Sequence, residues 1–386
     1  MRHRVILIAV ILLVSCPVSV RGDEFRIVPY VAAKEEYNTN ILFSADGAAK
    51  RDFVTTLSPG IEISERTERF DIDLLSRLDR LDYAGNRGLS ATNQSYNGRF
   101  RYLASPLTSI SAEAGYMKNS NPTLDIGATG IVTAAVLWRR VTSSVSADYR
   151  LTERADVVTS YDYGRDYYEG SGLLDDVSHD VSAGLVYDLA EYLPRLKGRA
   201  TAGYSYYHFP GFRTDTANGT VGFSWDLNET WSILADGGIR RTWSQEPTAQ
   251  SGSGGWGWVE NVSLNYKGER DGADLTYARD ITPAYGLNGA AERNALTLSA
   301  RDRFTEELSV VFTASYYTLK SVSALSTQNI YQRTVRVNPG VLYEFSKDTS
   351  VEASYEYDRV DYTGSDTGAA RQIFFIRFNI RRPFLE

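Results

Sequence analysis

Histidine and cysteine are the first side chains to suggest nucleophilic, acid–base or metal chemistry. This 386-residue chain holds three histidines and one cysteine. His3 and Cys16 lie within its first 22 residues, leaving His179 and His208. Two imidazoles could bind a metal or titrate near neutrality, but no third ligand stands at metal-binding spacing. An interfacial polar pair is the simpler reading. A single cysteine builds neither a disulfide framework nor a cysteine-rich metal site. Hydrolysis needs a nucleophile beside a base, and the chain has no Walker sequence and no H-E-x-x-H. "GSGGWG" (252–257) formally contains G-x-G-x-x-G. It leads into an alternating stretch rather than a helix, so the dinucleotide reading fails its structural test. The expectation is a non-enzyme with no cofactor and no metal.

What remains is charge. Acids number 48 and bases 41, an excess of the wrong sign for a nucleic-acid binder, which would carry a basic patch. The charges are regularly placed. In "VEASYEYD" (351–358), Val351, Ala353, Tyr355 and Tyr357 share one parity, and Glu352, Ser354, Glu356 and Asp358 the other. A β-strand sends alternate side chains to opposite faces. The same period of two recurs in "FVTTLSPGIEIS" (53–64), "TVGFSWDLN" (220–228), "RVNPGVLYEF" (336–345) and "QIFFIRFNI" (372–380). It is a strand period, not the 3.6 of a helix.

The connections alternate as well. Eight tight turns, such as "SERTE" (64–68) and "LNET" (227–230), interleave with nine longer connections, such as "NTNILFSADGAAKR" (38–51) and "SVSALSTQN" (321–329). "FPGFRTD" (209–215) joins the longer set although it is shorter. Seventeen connections predict eighteen strands. Short turns at one end and long loops at the other are the pattern of an outer-membrane barrel. The expected fold is therefore all-β: a transmembrane antiparallel up-and-down barrel with short periplasmic turns and long extracellular loops. Slightly negative mean hydropathy does not oppose this, because alternating strands average out as polar. A secreted propeller or sandwich also alternates, but seldom places charge on nearly every second inward position.

On this reading the apolar parity meets lipid and the charged parity lines the lumen. The candidate lining is Glu62, Asp71, Asp73, Arg77, Arg99, Arg101, Glu113, Asp148, Arg150, Asp226, Asp236, Arg240, Arg336, Glu344, Glu352 and Glu356, with Asp162, Asp188, Arg199, Arg301 and Arg377 on the same parity. Such charges order water and select solutes, or are simply solvated or paired across strands in an interior too wide to fill. The mixed signs oppose strong selectivity for either ion charge. The pairs Tyr167 and Tyr168, Tyr206 and Tyr207, Trp256 and Trp258, and Tyr316 and Tyr317 fall near strand ends. They fit interfacial girdles better than a sugar-stacking track.

Arg2, His3 and Arg4 precede the apolar run "VILIAVILLV" (5–14). Ten residues suit a signal-peptide core and fall short of the ~20 needed to span a bilayer as a helix. Two maturation routes fit. One is ordinary cleavage before Asp23, giving a signal peptide over 1–22 and a barrel over 23–386. The other is lipidation of Cys16 within "LVSC" (13–16). The first is favoured, because a barrel needs no lipid anchor.

The first hairpin carries a more specific cue. "YVAAKEEYNTNILFS" (30–44) followed by "DFVTTLSPGIEIS" (52–64) resembles the start of a family of outer-membrane β-barrel porins associated with exopolysaccharide or capsule gene clusters and PEP-CTERM systems. The matching positions are Glu36, Tyr37 and Asn40, then Asp52, Leu57, Pro59 and Gly60. The last strand is similar to the assembly signal of such barrels through Phe374, Phe378 and Phe384, although Leu385 and Glu386 follow the final aromatic. The resemblance implies a passive channel in a Gram-negative outer membrane, linked to exopolysaccharide or capsule production or export. Its expected partners are outer-membrane lipid and lipopolysaccharide, the barrel-assembly machinery, and the exopolysaccharide with its export apparatus. Oligomeric state is left open. A general diffusion porin and a non-conducting barrel that binds surface polysaccharide are the alternatives.

Overall fold

The structure, a computed structural model, describes residues 24–120, 137–169, 173–245, 253–283, 290–321, 331–362 and 368–384. Residues 1–23, with Cys16, and the terminal Leu385 and Glu386 lie outside the described residues. The strands are β1 (Glu24–Asn38), β2 (Asp52–Arg66), β3 (Phe70–Tyr83), β4 (Ala91–Ser105), β5 (Thr108–Asn119) and β6 (Trp138–Thr152). Next come β7 (Ala155–Tyr168), β8 (Asp176–Asp188), β9 (Leu196–Phe209), β10 (Phe212–Asp226), β11 (Trp231–Gln245) and β12 (Ser253–Lys267). The last are β13 (Asp271–Pro283), β14 (Ala290–Arg303), β15 (Leu308–Ser321), β16 (Tyr331–Ser346), β17 (Thr349–Tyr362) and β18 (Gly368–Arg381).

Each strand pairs antiparallel with its sequence neighbours, and β1 pairs with both β2 and β18. The sheet is thus a closed eighteen-stranded barrel. Closure removes the sheet edge, whose unpaired backbone groups could not face hydrocarbon. The Arg382 and Phe384 amides extend the closing seam by donating to Pro29 and Ile27 carbonyls at 3.0 and 2.9 Å. One face of the wall is a belt of exposed apolar residues, including Val31, Phe53, Leu74, Val145, Val181, Val221, Ile239, Leu296 and Ile376. Phe374 and Phe378 belong to it. This is the outward face, and the opposite parity lines the interior. Rings gather at both margins: Trp231 with Tyr266 at the short-turn end, and Tyr37 with Phe53 and Tyr204 with Trp243 at the other.

Three features depart from the expected pattern. The β9–β10 connection is no long loop: Pro210 and Gly211 alone join the strands. Gly211 sits at φ +79° behind a proline, the chemistry of a tight type II turn. The aromatic doublets are also not wholly girdle. One ring of a doublet on consecutive positions must point inward, and Tyr207 and Tyr317 are buried inside the barrel while Tyr206 and Tyr316 face out. Finally, the wall is not uniform. β12 and β13 pair only from Glu260↔Arg279 to Lys267↔Gly272, so their extracellular arms are not laddered to each other.

Candidate pore and its constriction

Every lining residue proposed from parity falls on the inward face, opposite the apolar belt. Register brings several of opposite sign together. Asp71 and Asp73 stand across from Arg101 and Arg99. Arg99 meets Glu113 at 3.3 Å, Arg150 meets Asp156 at 3.5 Å, Arg199 meets Asp236 at 3.4 Å, and Arg377 meets Glu352 at 3.3 Å. Arg77 pairs along its own strand with Asp79 at 3.1 Å, and Glu62 accepts from Arg381. Asp148 accepts from the Ser109 hydroxyl at 3.2 Å. Asp226 and Glu344, at the short-turn ends of β10 and β16, form no ion pair among the described residues. The periplasmic half encloses a polar space of about 840 Å³ lined by Arg26, Glu62, Asp73, Arg99, Glu113 and Arg381, among others. Both signs are represented, and many of these side chains remain half-exposed to the lumen.

The extracellular half is drier. On β16, β17 and β18 a ring of four charges closes: Arg371 donates to Glu356 at 2.8 Å and to Asp358 at 2.5 Å. Arg336 reaches Glu356 at 2.5 Å and Asp358 at 3.6 Å. Asp358 is 0% and Arg371 2% exposed. The parity reading contained Arg336 and Glu356 but left out their partners. Asp358 shares the polar parity of "VEASYEYD". Arg371 lies one residue before the stretch whose alternation was read, so extending that stretch by one position would have found it.

Segment 39–51 explains the dryness. It turns inward from the end of β1, seating Ile41 against Val54 and Leu81, and Phe43 against Val360 and Ala369. Phe43 adopts φ +49°, uncommon for a bulky side chain, and the Arg371 guanidinium lies 5.4 Å from its ring centre. Asn40 ties the segment down: its amide group donates to the Ser44 and Ala370 carbonyls at 2.8 and 3.1 Å, and its side-chain oxygen accepts from the Ser44 amide at 2.9 Å. Asp52 accepts from the Gly85 and Asn86 amides, each at 2.8 Å, pinning the β3–β4 loop. Glu36 is inward and accepts from Lys34 and Asn38. Gly60 leaves room for Tyr30, whose ring would lie 2.3 Å from a Cβ there. These first-hairpin positions therefore build the inner wall and rim.

The opposite wall is narrowed differently. The extracellular arms of β13 and β14 bend into the lumen, so that Ile281 packs against Tyr207, Phe209 and Phe212 on the inner face of β9 and β10. The Tyr207 hydroxyl reaches the Ile281 carbonyl at 3.5 Å. Arg240, on the inner face of β11, meets Glu292 of β14 at 2.5 Å, and Arg279 meets the same carboxylate at 2.7 Å. Because β1 and β10 are half a barrel apart, the two intrusions approach from opposite sides. Between them, the β7–β8 wall presents Asp162, Asp166, Asp176 and Asp180 inward, with Arg140 bidentate on Asp166 at 2.7 and 2.8 Å.

The two histidines face outward. His179 contacts the Tyr161 hydroxyl through Nδ1 at 2.9 Å, and His208 stacks on Tyr206. The Tyr206 ring also packs on His179, so the pair belongs to the extracellular aromatic margin.

No protein-family model matches the chain, and no curated protein does. Solved structures do. OccK2 (OpdF) of Pseudomonas aeruginosa is 8% identical, with 94% of this chain and 100% of that one covered and a TM-score of 0.49. OccAB1 of Acinetobacter baumannii is 13% identical, with 96% and 99% covered and a TM-score of 0.46. The outer membrane protein opdK of Pseudomonas aeruginosa is 7% identical, with 92% and 99% covered and a TM-score of 0.44. These are likenesses of barrel architecture. The outer-membrane, porin-like character of this chain is carried by its own closed wall, apolar belt and charged lumen.

Proposed function

We propose that the chain is a passive outer-membrane channel for small polar solutes, narrowed in its extracellular half. The observation that supports this most is the contrast within the lumen. Half-exposed charges of both signs line the periplasmic half, while two inward intrusions restrict the other. A lumen so lined offers water-like contacts without favouring one ion strongly. The β7–β8 wall, with four inward aspartates beside Arg140, tilts it weakly toward cations. The resemblance of the first hairpin to exopolysaccharide-associated porins makes a glycan fragment the polar solute to test first. An intact polymer fits the narrowed half less well than a short oligosaccharide.

Single-channel recording of the purified barrel in a planar bilayer tests this. The expected record has small stable steps, a reversal potential displaced only slightly toward cations, and brief blockades by short acidic or neutral oligosaccharides. Silence from protein shown to be folded by heat-modifiable gel migration would refute the channel. It would favour a barrel that binds surface polysaccharide without conducting. Conductance indifferent to every oligosaccharide would leave a general diffusion porin and remove the polysaccharide link.

A further inference from the structure

The seams β1–β18 and β12–β13 carry the shortest ladders of the wall, but at β1–β18 the free arm of β18 is taken up by segment 39–51 through the Thr39 and Asp46 amides, and at β12–β13 no such backbone bonds are seen among the described residues. The β12–β13 ladder stops at Glu260↔Arg279. Above that level β12 stays in the wall, fully paired with β11 as far as Ser244↔Ser253. β13 passes inside it, carrying Ile281 to the inner face of β9 and β10. The two arms therefore overlap instead of joining edge to edge. Gly254, Gly255 and Gly257, from the stretch that mimicked a nucleotide motif, lie on the outer arm. Gly255 has open space where a Cβ would be, and the Arg240 guanidinium lies against Gly257, 2.7 Å from where its Cβ would stand.

A chain of charged contacts threads the overlap. On the lipid side Trp256 and Trp258 are 70% and 55% exposed. The Arg279 guanidinium sits 5.0 Å from the Trp258 ring centre and binds Glu292, which in turn binds Arg240 on the lumen side. Arg240 is 3% exposed. The Nε atoms of Arg240 and Arg279 are both buried, with no acceptor among the described residues. Arg240 and Arg279 share the single Glu292 carboxylate, so two cations meet one anion. Burying guanidinium donors without acceptors is costly, and the site carries both a surplus of positive charge and spare donors. Beside it lies the apolar cluster of Tyr207, Phe209, Phe212 and Ile281.

We propose that this overlap is a lateral portal that takes an anionic amphiphile from the outer leaflet. The carboxylate or phosphate headgroup would sit on Arg240 and Arg279, and the acyl chain between the tryptophans and the apolar cluster. Glu292 holds the site while it is empty and yields it to the headgroup. Membrane lipid and free amphiphile offer the same chemistry.

The test is photolabelling of the whole barrel in phosphatidylcholine nanodiscs with a diazirine-bearing dodecanoate. Saturable label is expected on the β12 arm or around Ile281. Arg240→Gln should raise the half-saturating concentration about tenfold, the loss of one charge-assisted hydrogen bond. Glu292→Gln should lower it, a gain that misfolding cannot imitate. Displacement by dodecyl phosphate and lipopolysaccharide would point to a lipid headgroup. Displacement by dodecanoate alone would point to a free carboxylate. Either result supports the portal. A matched dodecanol probe labelling as well, label confined to other seams, or Glu292→Gln without effect would overturn it. Conductance plays no part in this readout, so a silent channel leaves it standing.

Discussion

Arg371 is the most consequential single charge inside the barrel. It is 2% exposed and binds two carboxylates, Glu356 at 2.8 Å and Asp358 at 2.5 Å, while Arg336 holds their other side. The four charges sum to zero. Arg371→Met removes one guanidinium and leaves two adjacent buried carboxylates sharing Arg336. Breaking a buried pair in this way costs about 3–5 kcal/mol, most of it the penalty of the uncompensated charge. The lost contact with Phe43 adds about 0.5–2 kcal/mol. The double variant Arg371→Met with Glu356→Gln restores neutrality by leaving Arg336 with Asp358. It should recover about half of the loss, because charge imbalance rather than packing dominates. Urea unfolding from phosphatidylcholine vesicles, followed by tryptophan fluorescence and extrapolated linearly, measures both variants. A single substitution costing under about 1 kcal/mol, the size of a surface ion pair, would mean that water screens the ring. A double variant no more stable than the single one would assign the loss to Phe43.

Other expectations follow from the same geometry. Asn40→Ala strips the three side-chain hydrogen bonds that hold segment 39–51. It should cost about 1–3 kcal/mol locally, seen as faster hydrogen exchange at the Ser44 amide and noisier single-channel current. Unchanged exchange would show that Ile41 and Phe43 hold the segment without it. Val221, 70% exposed on the lipid face, and Thr220, beside it on the lumen face, should respond oppositely to arginine. Val221→Arg should lose about 2–4 kcal/mol in the urea assay and Thr220→Arg much less. Equal losses would refute the assignment of faces.

How much of this was legible in the sequence depends on which direction is asked about. Alternation fixes side-chain direction across the wall, so Glu352 and Tyr355 could be sent inward and outward from residue order alone. Turn chemistry set the strand number, but "FPGFRTD" was grouped with the loops although Pro210 and Gly211 suffice for a turn. Alternation says nothing of how far a segment leans into the lumen. Segment 39–51 looked like an ordinary loop because the hydrophobicity of Ile41 and Phe43 gives no address, and their contacts on β2, β3, β17 and β18 are remote in sequence. The overlap at β12 and β13 was hidden for a related reason. Its glycines are visible in "GSGGWG", but a glycine permits a close approach without naming what approaches.

The two intrusions differ in what they cost the barrel, and that difference bears on selection. Segment 39–51 leaves β1 fully laddered to β2, and where the β1–β18 ladder ends at Asn38↔Ile373 its own Thr39 and Asp46 amides donate to the Gln372 and Gly368 carbonyls of β18, so that seam stays bridged. The β13–β14 arm narrows the lumen only by leaving β12, which forfeits ladder hydrogen bonds over the extracellular half of one seam. A loop could have narrowed the pore on that side without breaking the wall. The arm is held in place by buried Arg240 and half-buried Glu292, whose pairing does little more for stability than apolar packing of similar volume would. A broken seam held by replaceable charges makes poor sense as a means of constriction alone. It makes sense where one structure serves two directions: a polar path along the barrel axis, and a cationic opening through the wall.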